Sequence, residues 1–211
     1  MNNTSTMEHT LAHTEHRDDF GAKLGMWIFI FTELLLFGGL FLVYAVYRWK
    51  FSAGFHEAAA ELNTFIGTVN TVALLISSMT VAMSLTALQK GNSKLAVNLI
   101  LITIFLGLVF LFNKYHEWGT EIRDGLYPGS ENLMAQDMRG VALFFGLYFF
   151  MTGLHMLHMI IGMVLLAIIA IRVKSGKVNS NRYMLLQNGS LYWCLVDLIW
   201  IFLFPLLYLV S

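Results

Sequence analysis

The chain reads as an all-α, polytopic membrane protein: a bundle of five transmembrane helices. Three observations carry this. Hydrophobic residues make up 57% of the 211 positions and charged residues only 12%, about half the charged fraction of a soluble domain, and mean hydropathy is +0.67. The apolar residues come in runs longer than the ~20 needed to cross a hydrocarbon core of about 30 Å as helix. Those runs lack the alternating pattern of about ten residues that a membrane-barrel strand requires, the only other spanning architecture.

The spans follow in order. The first covers 23–48, opening after Lys23 and closing at Arg48 and Lys50. It carries Glu33 and the pair Gly38-Gly39. The second covers 63–88 and holds Asn63, Gly67, Thr68, Asn70 and Thr71 ahead of Lys90. The third, 95–115, lies between Lys94 and Lys114. The fourth, 141–173, exceeds what a bilayer demands, so it is expected to tilt or to extend past the membrane at its outer end. It contains Gly146, Gly153 and Gly162, small residues that allow close helix approach. The fifth, 191–210, includes Pro205, the one proline within a span. Residues 1–22 form a polar N-terminal tail and 23–211 the membrane domain.

Several classes drop out. The formal net charge is zero and no run of Lys/Arg exceeds a few residues, so nothing points to nucleic acid. Cys194 is the single cysteine, which excludes an intramolecular disulfide. Residues 1–20 are polar and the first apolar run is too long for a signal peptide, so it is expected to remain as a helix. Eight Lys/Arg fall on one side (Arg17, Lys23, Lys90, Lys94, Arg172, Lys174, Lys177, Arg182) and five on the other (Arg48, Lys50, Lys114, Arg123, Arg139). That bias places the N-terminus in the cytoplasm and the C-terminus outside. The outer side also receives Glu117, Glu121, Asp124, Glu131 and Asp137.

The candidate functional residues are the polar groups at bilayer depth, where a charged side chain is costly by at least ~2.5–3.5 kcal/mol. Glu33 lies about 15 Å in from Lys23, and Asp197 about 13 Å from Asn188 on the same side, so the two carboxylates share a depth. His155 and His158 lie about 21–25 Å from Arg172. Thr152, His155, Met159 and Gly162 form one stripe of the fourth helix, with His158 one turn from His155. Each carboxylate has two readings. One is a hydrogen-bonded neutral carboxyl, since desolvation disfavours the charged form; the other is a proton relay or a lipid-headgroup contact. The readings are balanced for Glu33, and the structural one is favoured for Asp197. Trp193 and Trp200 flank Asp197, and their indole N–H groups could donate to it, although two tryptophans on one face are more often plain packing.

His155, His158, Glu33 and Asp197 could together supply four ligands to a metal. Intramembrane histidines beside glycines more often bond a neighbouring helix, and two histidines on one helical face cannot clasp a haem. His56 and His116 sit at the outer boundary. His9, His13 and His16 belong to the tail, which is expected to be disordered. The chain is thus expected to hold no metal or haem.

Taken together, Leu24-Gly25-Met26-Trp27 through Thr32-Glu33-Leu34 to Phe37-Gly38-Gly39, then Leu62-Asn63-Thr64, Val69-Asn70-Thr71, Glu117-Trp118, Asp124-Gly125-Leu126-Tyr127, Thr152-Gly153-Leu154-His155-Met156-Leu157-His158 and Tyr192-Trp193-Cys194-Leu195-Val196-Asp197 resemble, in family order, subunit III of the haem-copper terminal oxidases. The resemblance runs from residue 24 to the C-terminus. It implies a subunit with no redox centre that packs against the catalytic subunit I and other oxidase subunits, which hold haem and copper. It also implies phospholipid binding in a helix cleft and support of proton uptake, with Glu33 as the family's buried glutamate. The setting would be a prokaryotic-type cytoplasmic membrane.

Three departures stand out. Two N-terminal family helices are missing, as in the five-helix form; Cys194 replaces the family histidine; and about 129–139 is an additional stretch, a docking surface or a longer loop. Two other readings stay open: an accessory subunit of nitric oxide reductase, which shares an ending like Leu203-Phe204-Pro205-Leu206-Leu207-Tyr208, and a proton-coupled transporter using Glu33, His155 and Asp197 as a relay. Against the transporter stands the shortage of proline-broken helices and of an inverted repeat.

Overall fold

The computed structural model describes residues 19–130 and 139–209, all helix and connecting turn among the described residues. Helix α1 runs Asp19–Lys50, α2 Ser52–Ala60, α3 Thr64–Gln89, α4 Ser93–Arg123, α5 Arg139–Lys174 and α6 Met184–Phe204, followed by a π-helical turn, Pro205–Leu209. Five of these are long and apolar enough to cross a membrane. The structure differs from the sequence expectation in four places, the first being that α1 begins at Asp19, inside the expected tail. Helix α4 continues past Lys114 to Arg123, because Lys114 is an interior residue rather than a boundary charge. Helix α6 starts seven residues before the expected 191, its polar first turns being Gln187, Asn188 and Ser190. The short, alanine-rich α2 was not anticipated, being too short to register as a span. Most of the N-terminal tail and of the additional stretch, with Arg17, Glu131 and Asp137, lies outside the described residues.

The chain alternates between two ends of the bundle, which we name for the termini they carry. Helices α3 and α4 form a hairpin whose turn puts Gly91 at φ +80, a left-handed conformation that favours glycine. Asn63 and Asn92 cap α3 and α4, each side-chain oxygen accepting a backbone N–H three residues on, at 3.2 and 3.1 Å. These bonds satisfy donors that a helix start leaves orphaned.

Against this hairpin pack α5 and α6, and the core runs between the four helices through Phe110, Tyr148, Met159, Leu166, Trp193 and Trp200, all fully buried. At the C-terminal end α2 crosses α5 backbone to backbone: a Cβ on Gly54 would lie 2.9 Å from Gly140 Cα. Helix α1 is peripheral. Only 6% of its most apolar window is buried, against 61% for the last span, and it touches chiefly α5 and α6.

The glycines divide along the same line. Gly67 faces Phe204 and Tyr208, Gly107 and Gly162 face Trp193, and Gly153 faces Trp118, whereas Gly25, Gly38, Gly39 and Gly146 meet nothing within 4 Å. The expected close approach therefore holds for Gly67, Gly153 and Gly162, and Gly107 of α4 adds one that was not anticipated. It does not hold for Gly38-Gly39 or for Gly146.

Candidate functional site

Three polar centres occupy the interior. The first joins α1 to α5. Glu33 Oε2 lies 3.1 Å from His158 Nε2, both side chains being about seven-eighths buried. The other ring nitrogen, Nδ1, is 2.8 Å from the Leu154 carbonyl, which can only accept, so Nδ1 carries a proton. Nε2 is therefore the ring nitrogen turned towards the Glu33 carboxyl. Phe37 sits edge-on to His158 at 5.7 Å, and Tyr192 donates to the His158 carbonyl at 3.1 Å. Glu33 is thus a carboxyl on the least enclosed helix, turned to the His158 ring of α5.

The second centre is Asp197, 2% exposed. Its Oδ2 accepts from Ser77 Oγ at 2.8 Å and from Ser78 Oγ, both on α3. The tryptophans do not donate to it directly. Trp193 Nε1 donates to Ser77 Oγ at 2.9 Å, reaching Asp197 through that hydroxyl, and Trp200 Nε1 donates to Thr71 Oγ1 at 3.0 Å. Asp197 is thereby part of an α3–α6 seam.

The third centre was missed as a unit by sequence reasoning. Lys114, one turn before Glu117 on α4, is 0% exposed and Glu117 is 4% exposed. Lys114 Nζ donates to Glu117 Oε1 at 3.1 Å, Tyr148 OH at 3.0 Å and Tyr208 OH at 2.8 Å. Both phenols in turn donate to the same Oε1, Tyr148 at 2.6 Å. An ammonium has three donors, and all three are used. The Trp200 ring lies 5.4 Å from Nζ, within cation–π range. The clamp therefore ties α4, α5 and the C-terminal π turn. Pro205 has no N–H to give to a carbonyl one turn back, and there the helix widens so that Tyr208 swings inward. Spacing alone held one signal, Lys and Glu at i, i+3; that the pair faces inward could not be read from it.

The remaining candidates separate. Asn70 is buried and accepts from Asn113 at 2.8 Å, bridging α3 and α4. Asn63 is an exposed cap, not an interhelical contact. Thr152 donates to the Tyr148 carbonyl within its own helix at 2.6 Å. Asp124 is exposed at the end of α4. His155 faces Phe110 and Trp200, with ring centroids 5.4 and 5.3 Å away, whereas His158 faces Glu33. The four residues considered as a metal set thus hold different neighbours, and among the described residues no group of three or more His, Cys, Asp or Glu is placed to hold a metal ion. Glu33, His155 and Asp197 likewise form no contiguous relay.

Comparison with known proteins accords with this arrangement. Residues 2–211 match the family described as cytochrome c oxidase subunit III. A cytochrome c oxidase subunit 3 from Thermostichus vulcanus is 31% identical over 94% of this chain and 92% of its own length. A probable quinol oxidase subunit 3 from Staphylococcus saprophyticus is 28% identical over 96% of this chain and 95% of its own. A haem-copper oxidase subunit I+III from Aeropyrum pernix is 27% identical over 89% of this chain and 22% of its own. With the match spanning nearly every residue, and five apolar helices carrying the buried glutamate, the histidine pair and the aspartate in order, the chain belongs to the cytochrome c oxidase subunit III family.

Proposed function

We propose that this chain is the redox-inactive accessory subunit of a respiratory haem-copper oxidase that reduces O2 to water. It packs against catalytic subunit I and stabilises it, binds phospholipid and supports proton uptake. It sits in a prokaryotic-type cytoplasmic membrane with the N-terminal end of the bundle facing the cytoplasm. The observation that carries the reading is the contrast between α1 and the rest. Four helices close on one another around a shared core, while α1 leaves most of its apolar surface and three open glycines uncovered. It also holds a carboxyl that faces an imidazole of α5. A helix so disposed suits contact with another subunit and with acyl chains, and the Glu33–His158 pair suits proton exchange with its surroundings. The relative named as a subunit I+III fusion supports subunit I as the neighbour.

The test compares first-turnover rate with activity half-life during sustained turnover in the assembled oxidase, for wild type, Glu33→Ala and a strain lacking the chain. First turnovers should be retained in both variants, with a shorter half-life or slowed proton uptake. Immediate loss of chemistry in assembled Glu33→Ala would mean a direct catalytic role. An unchanged deletion strain would mean the chain is no working part of an oxidase. Co-purification with a nitric oxide reductase instead would move it to that relative's complex.

A further inference from the structure

Between the Asp197 seam and the Lys114 clamp, the bundle interior contains buried polar atoms with no partner. His155 is 0% exposed, and neither Nδ1 nor Nε2 makes a hydrogen bond. Asn70 Nδ2, Glu117 Oε2 and Asp197 Oδ1 are in the same condition. An imidazole always carries at least one N–H and, when neutral, one bare lone pair. Leaving such groups dry is costly, and native interiors answer it with ordered water, which typically makes about three bonds.

The residues that carry these atoms are linked through Trp200 and the Asn70–Asn113 pair. Asp197 precedes Trp200 by one turn of α6, and the Trp200 indole bonds Thr71 beside Asn70. Its ring is 5.3 Å from His155 on one side and 5.4 Å from Lys114 Nζ on another. Asn113, which pairs with Asn70, is next to Lys114. From the clamp, Glu121 (6% exposed) and exposed Asp124 continue along α4 to the C-terminal end.

We propose that His155 is the centre of an internal water-binding site. The water bridges the imidazole to the polar groups of the α3–α4 seam and the Lys114 clamp, making one hydrated column from Asp197 towards Glu121. Its ligand is water, and its consequence is hydrogen exchange between the bundle interior and the aqueous phase at the C-terminal end. A dry His155 would be sealed by Phe110, Trp200 and the fully buried Met159.

The experiment uses the full chain in lipid nanodiscs with ¹⁵N-histidine, transferred into D2O. The His155 ring N–H should exchange at least about ten-fold faster than the α5 backbone amides beside it, which report helix opening. In parallel, radiolytic hydroxyl labelling should modify buried Trp200, and His155→Phe, which removes the polar atoms, should cut that labelling several-fold. Ring exchange no faster than the neighbouring amides would overturn the proposal, even if His155→Phe fails to fold. Trp200 labelling unchanged in a folded His155→Phe variant would overturn it as well.

Discussion

The Lys114 clamp makes the sharpest quantitative demand on the fold. Replacing Lys114 by Met keeps the stem's volume and removes the ammonium, so Glu117 stays buried with only the Tyr148 and Tyr208 hydroxyls on Oε1. Three hydrogen bonds to a charged group, at about 1.5–3 kcal/mol each, overstate the loss because the two phenols keep solvating the carboxylate. Breaking a buried pair by removing one partner typically costs about 3–5 kcal/mol, and Lys114→Met belongs near the lower figure. Glu117→Leu belongs near the upper one, since it leaves a buried ammonium facing neutral phenol oxygens and ring faces. The double variant removes both charges and should return to within about 1–2 kcal/mol of wild type. The assay is reversible unfolding in mixed micelles with increasing denaturing detergent, completed as a double-mutant cycle. The expected coupling is several kcal/mol, far above the ~0.5 kcal/mol at which distant sites add. Additive single effects would refute the reasoning, because they would mean that neither charge depends on the other for its place in the interior.

Two further outcomes follow from the packing. A hydrophobic carbodiimide, which needs a neutral carboxyl in an apolar setting, should modify Glu33 on the peripheral helix α1, as peptide mapping would read. Glu33 left unmodified while the exposed acids of the C-terminal end react would sink the buried-carboxyl reading. Gly107→Ala places a Cβ 2.8 Å from Trp193 Cη2 and 3.1 Å from Met163 Sδ, and should destabilise the chain by about 1–3 kcal/mol through overpacking. Gly38→Ala meets nothing and should be neutral or stabilising by up to about 1 kcal/mol. Equal effects of the two substitutions in the same mixed-micelle assay would contradict the division between packed and open glycines.

By itself the sequence determined the class and the spans. Hydropathy is a sum over a window, and a run of apolar residues longer than a bilayer is thick has few other uses; all five expected spans are helices. The polar positions Glu33, His155, His158 and Asp197 were legible for the same reason, as interruptions of apolar runs. Tertiary structure alone decided which of them meet. Whether a residue at a helix end looks into the bundle or out of it depends on rotation about the helix axis and on what the neighbouring helix presents, and neither leaves a periodic trace when the helix is apolar all round. Lys114 shows this: counted by sequence as a boundary charge, it is the most deeply enclosed cation among the described residues. Its enclosure exists because Tyr148, from a helix begun after a separate connection, and Tyr208, three residues before the last position, converge on one carboxylate oxygen. The same holds for the histidines, adjacent on α5 yet divided between an aromatic box and a carboxyl on α1 by three residues of helical turn.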